Sequence, residues 1–240
     1  MEQGLAGKSV LVTGASAGIG KATVAVLVGA GATVIATGRR QDALDALVAE
    51  HGASSVRTLA GDLNDGGFVD RLAREAADVD ILVSNAGILT YAPLLDTSFE
   101  DTEAMFRTNV LGSFRITQAV AKSMAERGRG HIVMMTSIAA RQTYALGVVY
   151  CMTKHALAAY ADGLRIELQS RGVKVSEIAP GMVDTDIRAT STHPAVTQAV
   201  AARKFTALTP GEVADAVLYV VLQPENCGAD LVELRPRGAA

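Results

Sequence analysis

Residues 11–20, LVTGASAGIG, carry a hydrophobic run straight into three glycines, Gly14, Gly18 and Gly20. A phosphate sits at a helix N-terminus only where backbone N–H groups reach it without intervening Cβ atoms, and the helix dipole then favours its charge. Glycines between a buried strand and a helix provide that approach. The first strand-to-helix turn lies at the carboxyl edge of a doubly wound sheet, where such folds bind dinucleotides. The spacing here is G-x-x-x-G-x-G rather than G-x-G-x-x-G.

Outward from this turn, short aliphatic or β-branched runs alternate with longer segments of helical spacing. The expected strands are 9–13, 33–37, 56–60, 81–84, 131–135, 174–178 and 230–234, most of them too apolar for a sheet with one wet face. Apolar residues recur every three or four positions in 18–29, 41–51, 66–77, 110–127, 149–171 and 211–222, which predicts helices. The alternation predicts an α/β fold, a Rossmann-type doubly wound parallel sheet of about seven strands with helices on both faces. No repeat or linker divides the 240 residues, so 1–240 reads as one domain. Residues 182–209 lack a clear pattern and are expected to form a substrate loop.

Composition excludes several classes of function. Hydrophobic residues make up 49% and charged residues 20%, a globular balance, and a net charge of −3 gives no basic footprint for nucleic acid. The start, MEQGLAGKSV, lacks a basic-then-apolar leader, and no run reaches the length of a membrane helix. A cytoplasmic protein with a small-molecule partner is expected. Cys151 and Cys227 have no ligand-like spacing, so neither a disulfide framework nor a metal site is indicated.

The second strand runs into IATGRR. An NAD site commonly places an acidic residue here for the ribose hydroxyls, whereas a 2′-phosphate calls for arginine. Thr37 is neutral and Arg39 and Arg40 follow, so NADP (NADPH) is expected over NAD. Asp62 in LAGDL either accepts a hydrogen bond from the adenine amino group or caps the following helix.

YCMTK places Tyr150 and Lys154 on one helix face. A free tyrosine, pKa about 10, is about one-thousandth ionised at neutral pH, and an adjacent ammonium that lowers its pKa makes it a usable acid/base. Ser137 closes the strand HIVMMTS at the same sheet edge, where its hydroxyl can share a substrate oxygen with Tyr150.

TGASAGIG at 13–20, SNAG at 84–87, Asn109 in RTNVLGSF, Ser137, YCMTK at 150–154 and PGMVDT at 180–185 follow one another in the order and spacing of the short-chain dehydrogenase/reductase family. The resemblance runs from about residue 5 to residue 222. It implies a catalytic set of Asn109, Ser137, Tyr150 and Lys154. Ser137 would orient the substrate oxygen, Tyr150 would exchange a proton with it, Lys154 would lower the tyrosine pKa and hold the nicotinamide ribose, and Asn109 would keep a water in a proton relay. It implies a cofactor site of Ser16 and Ile19 among the glycines, Leu63 beside Asp62, the wall Asn85, Ala86 and Gly87, and Pro180, Gly181, Val183 and Thr185 at the nicotinamide. Family members commonly form tetramers, so a homotetramer, or a homodimer, is implied, through the helices around 110–127 and 149–171. Ala156, Ala158, Ala159 and Ala161 would allow close helix contact there.

Three positions depart from the family pattern. Ser84 stands where asparagine is frequent. Ala17 stands where many NADP users carry a basic residue, which leaves Arg39 and Arg40 to meet the phosphate. The ending DLVELRPRGAA lacks the usual Asp-Gly-Gly and is similar to a branch with NADP-dependent hydroxy-acid and clavulanate-type dehydrogenases.

The expected function is NADP-dependent interconversion of an alcohol and a ketone or aldehyde; the alternative is a non-catalytic redox sensor that binds NADP. The pocket is expected to draw on Leu89, Tyr91, the residues after Ser137 and the loop from Met182. Arg141 and Arg188 are the charges nearest in sequence, each expected either on the surface or facing an anionic substrate. His193, in the loop, is a further candidate for substrate contact, His155 is expected to be packed or solvated, and Met134 and Met135 to be core.

Overall fold

β1 (Ser9–Thr13) sets the layers of the molecule, because alternate side chains leave a strand on opposite faces. Val10 and Val12 join one buried cluster and Leu11 joins another. The same division recurs in β5 (Gly130–Met135), where Val133 and Met135 face one layer and Ile132 and Met134 the other. A strand with apolar side chains on both faces is stable only between two helical layers, which is why these runs read as continuously hydrophobic.

The computed structural model describes residues 4–238. The remaining strands are β2 (Thr33–Gly38), β3 (Val56–Ala60), β4 (Ile81–Ser84), β6 (Val173–Pro180) and β7 (Leu231–Leu234). They form a seven-stranded sheet in the order β3-β2-β1-β4-β5-β6-β7. Every pairing is parallel, from Val10 opposite Val34 at one side of β1 to Ile178 opposite Val232 at the far edge. The order reverses between β1 and β4, and that switch point opens the crevice in which open α/β sheets hold ligands.

Helices α1 (Gly18–Gly29), α2 (Gln41–His51) and α8 (Pro210–Val221) cover one face through Leu27, Leu44 and Val217. The other is covered by α3 (Gly66–Glu75), α5 (Ser113–Arg127) and α6 (Val148–Leu168) through Leu72, Ile116 and Leu157. Each such fully buried side chain contributes about 1.5–3 kcal/mol.

Two regions differ from the periodicity-based expectation. The helix expected from residue 110 begins earlier: α4 (Phe99–Met105), capped by Ser98, leads through a π-helical turn at Phe106–Gly112 into α5. The patternless stretch 182–209 contains a short turn at Asp186–Arg188 and helix α7 (Pro194–Ala201). His193 caps α7 and Pro194 takes its first position, where a missing N–H costs nothing. Backbone bonds from Leu208 to Met182 (2.9 Å) and from Asp184 to Leu208 (2.8 Å) close its two ends. It is tied over the sheet edge where Thr190 donates to the Leu89 carbonyl (2.8 Å) and Ser191 accepts from Tyr91 N–H (2.9 Å). Ser84 reaches Ser113 at 2.9 Å and accepts from Thr117 at 3.2 Å, so its hydroxyl ties β4 to α5. No helix among the described residues is long and apolar enough to cross a membrane.

Candidate active site

The glycine turn after β1 has the shape a nucleotide needs. Gly14 and Gly18 take φ of 66° and 50°, a region that favours glycine. A Cβ on Gly14 would lie 2.8 Å from Ala86 Cα, and one on Gly20 would lie 2.2 Å from the Gly14 carbonyl oxygen. Three donors fix the neighbouring wall: Asn85 N–H and Ala86 N–H both bond to Thr13 Oγ1 (2.9 and 3.0 Å), and Asn85 Nδ2 donates to Thr13 O (2.9 Å). Side chains cap α3, α4 and α8, but Ala17 at the head of α1 has none to offer, and the first turn of α1 holds no acid. The free N–H groups and positive dipole end of α1 therefore fit the diphosphate of a dinucleotide.

At the end of β2, Ser16 lies over Gly38, and Arg40 Nη2 donates to the Ser16 carbonyl at 2.8 Å, which holds the arginine beside the glycine turn. Arg39 is exposed. Asp62 does not cap α3; Asp65 does so, by accepting from Gly67 N–H at 2.9 Å. Asp62 Oδ1 instead accepts from Asn64 N–H (2.9 Å), an Asx turn that fixes the loop after β3 next to buried Leu63.

A cavity of about 400 Å³ opens beyond the glycine turn. Ile19, Asn85, Gly87, Pro180, Gly181, Val183 and Thr185 line one side, and Ser137, Tyr150 and Lys154 meet in it. Ser137 caps the short turn after β5: its Oγ accepts from Ala139 N–H (3.1 Å) and donates to the Pro180 carbonyl (3.2 Å). Tyr150 stands in the first turn of α6, with its ring edge-on to Tyr91 at 5.8 Å between centroids. Lys154, one turn on, is buried and donates to the Met135 carbonyl at 3.0 Å, with its Nζ 5.7 Å from the Tyr150 ring centre.

Burial decides the electrostatics of this group. It drives the Tyr150 pKa above the ordinary tyrosine value, Tyr91 adds to the rise, and the Ser137 hydroxyl and the Arg188 charge oppose it. Lys154 does not produce the lowered tyrosine pKa expected from their spacing, because burial outweighs the cations and the ammonium is held on a carbonyl. Burial lowers the Lys154 pKa to about 8, with Glu177 acting against the fall. The phenol therefore holds its proton at neutral pH.

Asn109 lies buried in the π-helical turn, where Oδ1 accepts from Ile88 N–H (2.7 Å) and Nδ2 donates to Ile88 O (2.9 Å) and Thr153 Oγ1 (3.2 Å). Both ends of its carboxamide hold the chain after β4 against α6. Such π turns recur at functional sites because they re-aim backbone and side chains locally.

Two arginines behave differently from each other. Arg141 does not line the cavity and forms a two-pronged bond to buried Glu177 (both 2.7 Å). Arg188 lines the cavity. His193 caps α7 and lies 3.5 Å from Asp96, and exposed His155 bonds the Cys151 carbonyl at 2.8 Å, so neither lines the cavity. Met135 is core and also cavity wall. Arg203, Phe205 and Arg235 line the cavity without having been singled out in the sequence. The Pro194 start of α7 was the readable signal for the first two, since a helix there returns the chain to the site.

A family model described as short chain dehydrogenase matches residues 8–195. The chain belongs to this family. As a short chain dehydrogenase it resembles, at 34% identity over 232 residues, the NADP-dependent 3-hydroxy acid dehydrogenase of Schizosaccharomyces pombe, covering 92% of this chain and 90% of that one. It is 31% identical to an uncharacterized oxidoreductase of Staphylococcus aureus, over 97% of this chain and 98% of the relative. Among solved structures, the closed form of a serine dehydrogenase complexed with NADP+ superposes with a TM-score of 0.87 at 34% identity, covering 94% and 93% of the two chains. Serine dehydrogenase from Escherichia coli gives 0.81 at 34% identity, covering 94% of this chain and 96% of that one. This short chain dehydrogenase is thus an oxidoreductase, a dehydrogenase or reductase.

Proposed function

We propose that the chain interconverts an alcohol and its ketone or aldehyde with NADP as cofactor, using Ser137, Tyr150, Lys154 and Asn109. The observation that carries this reading is the meeting of the buried Tyr150 phenol and the Ser137 hydroxyl in a cavity that also takes in Ile19, Asn85 and Gly87 beside the glycine turn. NADPH, when bound, supplies the hydride that reduces the carbonyl carbon. Tyr150 donates its phenolic proton to the carbonyl oxygen, and Ser137 turns its O–H from the Pro180 carbonyl toward the same oxygen. Lys154 keeps a positive charge behind the phenol and so offsets the negative charge that the departing proton leaves. Asn109 holds Ile88 and Thr153 in register and thereby fixes the distance from the β4 wall to α6.

The cofactor is NADP because Arg39 and Arg40 stand where an acidic residue would serve NAD, and charge-assisted bonds to a 2′-phosphate are about twice as strong as neutral ones. NADP-dependent and NADP-complexed relatives support the same choice. Calorimetry is expected to give a lower dissociation constant for NADPH than for NADH, and an Arg39→Ala/Arg40→Ala double variant to lose most of the difference, by roughly 10–100-fold. Equal constants in the parent, or an unaltered preference in the variant, would refute the assignment.

Assembly through α5 and α6 belongs to the same proposal. Ala158 and Ala161 are buried inside the subunit, which leaves half-buried Ala156 and exposed Ala159, together with the exposed apolar group Leu111, Phe114 and Met152, for the contact. Light scattering at micromolar concentration is expected to give a dimer or tetramer mass, and a monomer mass would contradict it.

A further inference from the structure

Two guanidinium groups enter the reaction cavity from the segment folded over it. Arg188 ends the turn at Asp186–Arg188, and Arg203 lies just beyond α7. Arg188 gives one Nη1–H to the Val183 carbonyl at 3.1 Å, while its Nε is buried without a partner. The Arg203 guanidinium has neither a hydrogen-bond partner nor a carboxylate among the described residues, although the residue is half-buried. By contrast Arg235, the other arginine lining the cavity, meets an acid, Glu233, at 2.7 Å.

The two unpaired charges act on each other and on the reacting group. Burial and the neighbouring Arg188 both push the Arg203 pKa down. Both arginines pull on the Tyr91 phenol, and Arg188 also pulls on Tyr150. The cavity wall contains no aspartate or glutamate among the described residues. Two like charges half-buried side by side with no acid to meet them are unfavourable, and an anion held by both offsets their repulsion. An ammonium group in the same space would meet two cations and no acid.

We propose that Arg188 and Arg203 form a carboxylate clamp, so that the enzyme acts on small hydroxy acids, and the matching oxo acids, that carry no ammonium group beside the reacting carbon. This rests on the alcohol–carbonyl reading above and narrows its substrate class. The Tyr91 ring, 5.8 Å from that of Tyr150, feels the charge of both arginines, so the clamp and the reacting phenol belong to one cavity and a small hydroxy acid is the compound that meets both. Apolar Leu89, Ile187 and Val200 complete the wall and suit the intervening carbons.

Three matched compounds separate the possibilities: 3-hydroxybutyrate, its methyl ester, and threonine, which is the same acid bearing an ammonium group. With NADP+, the parent enzyme is expected to show kcat/KM for 3-hydroxybutyrate about 100-fold above both others. In Arg203→Met, and in Arg188→Met, the acid-to-ester ratio is expected to fall by about 10-fold or more. An ester used as well as the acid, threonine used as well as 3-hydroxybutyrate, or variants that keep the parent ratio would overturn the clamp. The parent comparison needs no variant to fold. Calorimetric binding of 3-hydroxybutyrate to the NADP+ complex reads the clamp without turnover: binding that weakens in Arg203→Met supports it, and no binding by the parent overturns it. Failure of the underlying reading looks different, because then all three compounds go unoxidised whatever they bind.

Discussion

Tyr150→Phe is expected to lower turnover by roughly 10²–10⁴ while NADPH affinity stays within a few-fold of the parent. The substitution keeps the ring, and with it the edge-on contact to Tyr91 at 5.8 Å and the packing at the head of α6. Only the O–H is lost. Its neighbours are otherwise engaged: Ser137 already donates one proton, and its alkoxide is far too basic to form near neutrality, the Lys154 ammonium is directed at the Met135 carbonyl, and the Tyr91 and Tyr144 hydroxyls bond each other at 2.8 Å. Steady-state rates with calorimetric NADPH titration separate the two quantities. A variant that keeps more than a tenth of the parent rate would remove Tyr150 from the proton-transfer step.

Gly20→Ala is expected to damage nucleotide binding and folding together. The added Cβ would stand 2.2 Å from Gly14 O and 2.7 Å from Asn85 Nδ2. Neither neighbour can retreat cheaply, since Gly14 belongs to the backbone of the turn and the Asn85 amide is bonded to Thr13 O at 2.9 Å. Overpacking of this kind costs about 1–3 kcal/mol. The shift it forces runs through the N–H groups at the head of α1, so NADPH affinity is expected to fall at least ~10-fold, equivalent to about 1.4 kcal/mol. Gly29→Ala, at the other end of α1 where a Cβ would meet nothing within 4 Å, is the matched control and is expected to bind NADPH as the parent does. Thermal unfolding with and without NADPH reads both effects, and a Gly20→Ala protein as stable and as well stabilised by NADPH as the control would contradict the close-approach argument.

The sheet was legible because its strands are buried on both faces. Runs such as Val10–Val12 and Ile132–Met135 are too apolar to be anything but central strands, and their bounds agree with the structure to within a residue or two. The grouping of Tyr150, Lys154 and Ser137 at one sheet edge was legible because Tyr150 and Lys154 share one helix face and Ser137 follows directly on a strand, both local facts. What depended on tertiary contact was not legible. Arg141 takes its partner from Glu177, one strand over but 36 residues away in the chain. Arg203 reaches the cavity only because α7 folds back over the sheet edge, in a stretch that shows no strong period. The direction of the Tyr150 shift could not be read either, since a spacing of four residues reports the neighbouring ammonium and says nothing about burial. Asn109 falls one residue before the helix expected at 110–127, and the π-helical turn that commits both ends of its carboxamide to Ile88 has no sequence signature.

The most direct test of the central claim is transfer of label from cofactor to product. With NADPH carrying deuterium at both C4 positions and a panel of small oxo acids and neutral ketones and aldehydes, mass spectrometry of the alcohols reads the reaction whichever face is used. The proposed function predicts one deuterium on the carbinol carbon of at least one product, formed by the parent enzyme and reduced roughly 10²–10⁴-fold in rate by Tyr150→Phe. Tight NADPH binding with no label transferred to any compound would contradict it and leave a protein that binds the nucleotide without using it.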